Sequence, residues 1–140
     1  MREIKKLFSL MMVFCMICSM TIFAQARASD YFAATDVWVT RTSGGNFLVE
    51  FDICATHIMN EIGATEIYIY EQQSDGDYEN IYTYTSEKMS ALVTYNESAH
   101  GYSLTYHGTS GKRYFATLAL YCRDDNGAEW LMEDTNIITA

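Results

Sequence analysis

The chain has 140 residues, 49% of them hydrophobic and 14% aromatic, with four cysteines, no proline and a formal charge of -9. This length suits one domain, and the apolar content excludes a disordered chain. Eighteen acidic residues against nine basic ones argue against nucleic acid or an anionic membrane as partner, because both are held by clustered Lys and Arg.

The first segment reads as an export signal. Arg2, Lys5 and Lys6 precede an apolar run from Leu7 to Ala24, and two overlapping small-x-small sites follow at Ala24-Gln25-Ala26 and Ala26-Arg27-Ala28. A basic start, an apolar middle and an A-x-A exit make a secretory signal peptide over residues 1–28, cleaved after Ala28. The alternative is a retained anchor, since the run just reaches the length that spans a bilayer. Cys15 and Cys18 follow Phe14 and Ile17 rather than small residues, which argues against lipidation. The expected product is a secreted, extracellular domain of residues 29–140, with no stable membrane association. It carries a formal charge of -12, which keeps it soluble and repels anionic surfaces.

Within that domain, glycine-containing turns separate alternating or apolar runs. Strands are predicted near 34–41, 46–56, 64–72, 78–85, 102–107, 113–123 and 129–138. The second alternates most cleanly: Phe47, Val49, Phe51, Ile53 and Ala55 fall on one face, and Leu48, Glu50, Asp52, Cys54 and Thr56 on the other. With a period of two, the Phe face turns inward. In the sixth strand Tyr114, Ala116, Leu118 and Leu120 alternate with Phe115, Thr117, Ala119 and Tyr121. Residues 86–100 read either as helix, from the spacing of Met89, Leu92 and Val93, or as a short edge strand. Trp38 and Trp130, near the first and last strands, are candidate core anchors. Seven short strands punctuated by turns predict an all-β, seven-stranded antiparallel two-sheet sandwich.

The run Tyr114-Phe115-Ala116-Thr117-Leu118-Ala119-Leu120-Tyr121, followed by Asp124-Asp125-Asn126-Gly127, resembles the F strand and F–G turn of a fibronectin type III-like, immunoglobulin-like sandwich. Gly63-Ala64-Thr65-Glu66-Ile67-Tyr68-Ile69-Tyr70-Glu71 resembles its C strand. Residues 34–139 are similar as a whole to small secreted sandwich proteins of anaerobic Gram-positive bacteria, mostly of unassigned function. The resemblance implies a fold and an exported location, and it brings no catalytic residue. The chain departs from ordinary type III modules in lacking proline and in keeping Cys54 and Cys122. Their separation is similar to that of the disulfide between strands B and F of immunoglobulin domains. Against a bridge, Cys54 lies on the outward phase of its strand and Cys122 follows the inward phase of Leu118 and Leu120. A bulge near Ala55 would reconcile them; otherwise they are two separate thiols.

Candidate chemistry is sparse. His57, His100 and His107 accompany no G-x-S-x-G, H-E-x-x-H or C-x-x-C motif in residues 29–140, so no enzyme activity is expected. Asp75, Asp77 and Glu79, or Asp124, Asp125 and Asn126, offer oxygens to calcium, but both sets read first as hairpin turns. No other cofactor is implied. The tyrosines are the most unusual feature. Tyr68 and Tyr70 share one face of a strand, Tyr82 and Tyr84 one face of the next. If the two strands pair, the four rings form an outward stripe. The expected function is a non-enzymatic module that binds an extracellular protein, with adhesion at the cell exterior as its setting. The alternative is a carbohydrate-binding module that stacks sugars on the stripe.

Overall fold

The computed structural model describes residues 29–140; the signal-peptide reading of residues 1–28 lies outside the described residues. Inward alternation of Phe, Ile, Val and Leu dictates two sheets facing each other. One is three-stranded, with β1 (Phe32–Arg41), β2 (Asn46–Met59) and β6 (Glu97–His107) in the order β1-β2-β6. The other has the order β4-β3-β7-β8, from β3 (Glu61–Gln72), β4 (Tyr78–Thr85), β7 (Arg113–Arg123) and β8 (Ala128–Asp134). Two-residue strands complete it: β5 (Val93–Thr94) on β3 and β9 (Ile138–Thr139) on β7. All pairings are antiparallel.

The seven predicted strands are thus present, but the count is nine. Residues 90–92 form a single 3-10 turn leading into β5, a two-residue edge strand on β3, and β6 begins at Glu97, so the segment read as helix or edge strand contains one helical turn and two pieces of strand. The last predicted strand breaks at Thr135–Ile137. There the Thr135 hydroxyl accepts the Ala116 amide hydrogen (2.9 Å), in place of a ladder partner. Asn136 then crosses to the other sheet: its amide nitrogen donates to the Val39 carbonyl and its amide oxygen accepts from the Val39 N–H (3.1 and 2.9 Å). That bidentate clasp joins the β1 side of one sheet to the β8 side of the other.

The core is what the alternation predicts: Phe47, Val49, Phe51 and Ile53 from β2 meet Ile67 and Ile69 from β3 and Ala116, Leu118 and Leu120 from β7, all buried. Each large aliphatic or aromatic side chain removed from water there stabilises the fold by about 1.5–3 kcal/mol. Neither tryptophan is a core anchor. Trp38 pairs across the ladder with Glu50 on the outer face of the three-stranded sheet, and Trp130 is 62% exposed. Both stand on the strand phase opposite to the inward residues.

At Gly63 the backbone has φ 156°, and a Cβ would run into the Leu92 carbonyl oxygen. Only glycine lets β5 approach β3 so closely.

Cys54 and Cys122 are both free thiols. Cys54 is exposed in the row Ala34–Cys54–Ala99, whereas Cys122 is buried among the inward residues of β7. The register of β2 shifts after Cys54, too late to turn its side chain inward, so the bridge weighed from the immunoglobulin-like spacing does not form.

Candidate functional site

The four-ring stripe expected at Tyr68, Tyr70, Tyr82 and Tyr84 is divided between two faces. β3 and β4 do pair, but Tyr84 stands opposite Ile67 and Tyr82 opposite Ile69, which are core residues. Directly opposed residues share a face, so Tyr82 and Tyr84 lie on the inner side while Tyr68 and Tyr70 point outward. A register shift at Tyr70 brings it opposite Asn80.

The inner pair closes the open side of the sandwich. Tyr82 and Tyr84 meet edge to face (4.7 Å between centroids), and Tyr82 lies 6.3 Å from Tyr106 of the other sheet. Tyr106 and Tyr114 both pack on Phe47 (5.3 and 5.0 Å). Burial raises the Tyr84, Tyr106 and Tyr114 hydroxyls above their ordinary range, so they stay neutral. Tyr114 reaches from this cluster to the loop before β7: its hydroxyl accepts from the Thr109 N–H (2.9 Å) and donates to Glu71 (2.6 Å), which also takes Lys112 (3.1 Å). The Tyr114 hydrogen bond, ahead of Lys112, holds the Glu71 carboxyl below its usual range against the opposing effect of burial.

The outer face of the six-stranded sheet gathers a different set of aromatics. Tyr70 stacks flat on Phe115 (4.8 Å, 5° between planes), and Tyr78 meets Phe115 edge-on at 5.0 Å. Further along, Tyr121 opposes Trp130 across β7 and β8 (4.8 Å, 39°), and Met132 opposes Ala119. Trp130 and Met132 are 62% and 57% exposed. Between the two ends lies Tyr68, whose hydroxyl donates to Glu66. Sequence reasoning missed Tyr78, Phe115, Tyr121, Trp130 and Met132 as members of this surface. The outward phase of β7 at Phe115, Thr117, Ala119 and Tyr121 was the available signal.

The histidines serve structural bonds. His57 lies within β2, with one ring nitrogen 2.8 Å from Asp124 and the other 3.0 Å from the Thr56 hydroxyl. Although Thr–His–Asp is the order of a hydrolytic triad, the Thr56 hydroxyl donates to the Asp30 carbonyl (2.8 Å). Its proton is therefore committed away from the imidazole. Tyr31 also donates to Asp124 (3.3 Å), so this group fastens the start of β1 to the β7–β8 turn. The His57 bond, foremost, and the Asn126 and Gly127 amides hold the Asp124 carboxyl well below the usual carboxylate range. His100 bonds the Ala91 carbonyl and His107 the Asn46 side chain (both 3.0 Å).

Both acidic loops are Asx turns. Asp75 accepts the Asp77 amide hydrogen (3.0 Å), and Asp124 accepts those of Asn126 and Gly127 (2.8 and 3.0 Å). Asp125 accepts from Asn60 (2.6 Å). Glu79 lies in β4 opposite Glu71. Among the described residues no group of three or more His, Cys, Asp or Glu is disposed to hold a metal ion.

No protein-family model matches the chain, and no curated protein matches it in sequence. Solved structures similar to it include the sporulation control protein Spo0M of Bacillus subtilis (9% identity, TM-score 0.42). That match covers 72% of this chain and 47% of the other, so the chain spans about half the length of Spo0M. A late embryogenesis abundant protein is similar at 9% identity and a TM-score of 0.45, over 99% of this chain and 86% of the other. A protein from Archaeoglobus fulgidus is similar at 6% identity and 0.35, over 78% and 97%. At these identities and scores none bears on the function.

Proposed function

We propose that the chain is a secreted, non-enzymatic, fibronectin III-like module that binds another protein outside the cell through the outer face of its six-stranded sheet. The observation that carries the reading is Trp130 and Met132, both more than half exposed, on a face that continues through Tyr121 to the Tyr70–Phe115–Tyr78 stack. A monomeric surface seldom leaves large apolar groups contiguous unless they meet a partner, and Trp and Tyr anchor such contacts. Two features support the type III-like kinship. The segments resembling strands C and F are bonded neighbours, β3 and β7, with β8 following as G follows F. Tyr114 bonds the backbone at Thr109 in the manner of the tyrosine corner of such sandwiches.

A carbohydrate-binding module is the second reading, and the exposed Trp130 ring favours it. Against it, Tyr70 and Phe115 spend their ring faces on each other, and sugar stacking needs a free ring face. The test compares the protein with its Trp130→Ala/Met132→Ala variant, on a glycan array with and without calcium and in pull-downs from the surrounding medium. An exposed double substitution should leave thermal unfolding nearly unchanged. A protein retained by the parent and lost by the variant supports the first reading. A saturable glycan lost by the variant supports the second, and calcium dependence would implicate the Asp75–Asp77–Glu79 loop. Equal binding by parent and variant in both formats refutes the face.

A further inference from the structure

The outer face of the three-stranded sheet carries a separate arrangement, on the opposite side of the sandwich. Its register sets two adjacent rows across β1, β2 and β6: Asp36–Asp52–Gly101 and Trp38–Glu50–Ser103. Neither these rows nor the ones flanking them contain Lys or Arg. Asp36 and Asp52 are direct cross-strand neighbours, and like charges so placed destabilise a sheet. Glu50 has a hydrogen bond from the Thr40 hydroxyl (3.0 Å). None of the three carboxylates belongs to the ion pairs found among the described residues, which join His57 to Asp124, Lys112 to Glu71 and Arg123 to Glu61.

All of these row residues except Asp36 line a hollow of about 290 Å³, with Trp38, Glu50, Asp52, Gly101 and Ser103 in its wall. It is low on the β6 side because Gly101 has no side chain and Ser103 a short one. The Asp52 carboxylate lies over Gly101, where a Cβ would collide with it. One indole beside two carboxylates recognises an organic cation: the ring attracts positive charge, and the carboxylates accept its hydrogen bonds. A planar guanidinium, with five donors spread over a fork, can serve both carboxylates at once, whereas an ammonium is a point charge. β6 is the edge strand of its sheet, so the cation can arrive on a chain that continues over that edge.

We infer that this hollow binds an arginine side chain of a basic polypeptide partner, with the guanidinium against Trp38 and its N–H groups donating to Glu50 and Asp52. The charge of -12 on residues 29–140 matches such a partner and steers it in. The inference stands apart from the aromatic face of the other sheet and survives that reading's failure.

The test titrates a hexa-arginine peptide into the full chain carrying Trp130→Phe, which leaves Trp38 as the one indole. The expected result is a saturable change in indole fluorescence that weakens as salt is raised. Glu50→Gln/Asp52→Asn should raise Kd at least tenfold. Gly101→Ala, which keeps every charge but displaces the Asp52 carboxylate, should raise it severalfold. Glu87→Gln/Glu97→Gln, which removes the same charge elsewhere, should leave it within twofold, and hexa-lysine should bind more weakly than hexa-arginine. Removing Asp52 relieves repulsion, so the neutralised variant should melt no lower than its parent, which separates loss of binding from loss of folding. Equal Kd for the two charge-neutralised variants, equal binding of the two peptides, or no saturable change would each overturn the proposal.

Discussion

Tyr114 holds the end of the sandwich together through one oxygen, and Tyr114→Phe removes that atom while keeping the ring on Phe47. In the parent the hydroxyl donates to Glu71 at 2.6 Å and accepts from the Thr109 amide at 2.9 Å. A hydrogen bond to a charged acceptor contributes about 1.5–3 kcal/mol. Thr109 is exposed, so water replaces the second bond at little cost, and the expected loss is about 2 kcal/mol. For a domain of this size that corresponds to a fall in Tm of roughly 8–10 °C. Urea unfolding followed by circular dichroism, at pH 7 and pH 3, measures it. Glu71 has a folded-state pKa below its ordinary 4.5, so its contribution is present above about pH 4.5 and is lost as pH falls through the folded value. The gap between parent and variant should therefore be wide at pH 7 and narrow at pH 3. A loss under about 0.5 kcal/mol at pH 7, or a gap that stays constant with pH, would refute the reasoning.

Other expectations follow from burial and backbone geometry. Cys54 should react with a thiol reagent in the native protein while Cys122 does not, because burial pushes the Cys122 thiol up to about 12. On residues 29–140, labelling of both in urea and of one in buffer, read by mass, checks this, and native labelling of Cys122 would contradict it. Gly63→Ala should cost more than about 2 kcal/mol, because the added carbon meets the backbone of Leu92 rather than a side chain that can swing aside. Calorimetry measures the loss, and a variant melting with the parent would show that β5 can shift.

Alternation alone determined much of this protein. Phe47, Val49, Phe51 and Ile53 face inward and Cys54 outward because the side-chain period of a strand is two, a local property of the backbone. The two-sheet sandwich, and the opposite phases of Cys54 and Cys122, follow from the same rule. What the chain does not display locally is register between strands. Tyr68, Tyr70, Tyr82 and Tyr84 have the right spacing for one face, yet pairing of Tyr82 with Ile69 places them on two, since a slip of one residue reverses every side chain. The surface joining Tyr70, Phe115, Tyr121 and Trp130 assembles three strands from distant segments. The row of Trp38, Glu50 and Ser103 likewise depends on β6 lying beside β2. His57 gives no sequence signal of its bond to Asp124, because those residues meet only when the β7–β8 turn folds back over the start of β1. Strand character is decided by near neighbours along the chain, whereas both candidate binding faces exist only through cross-strand register.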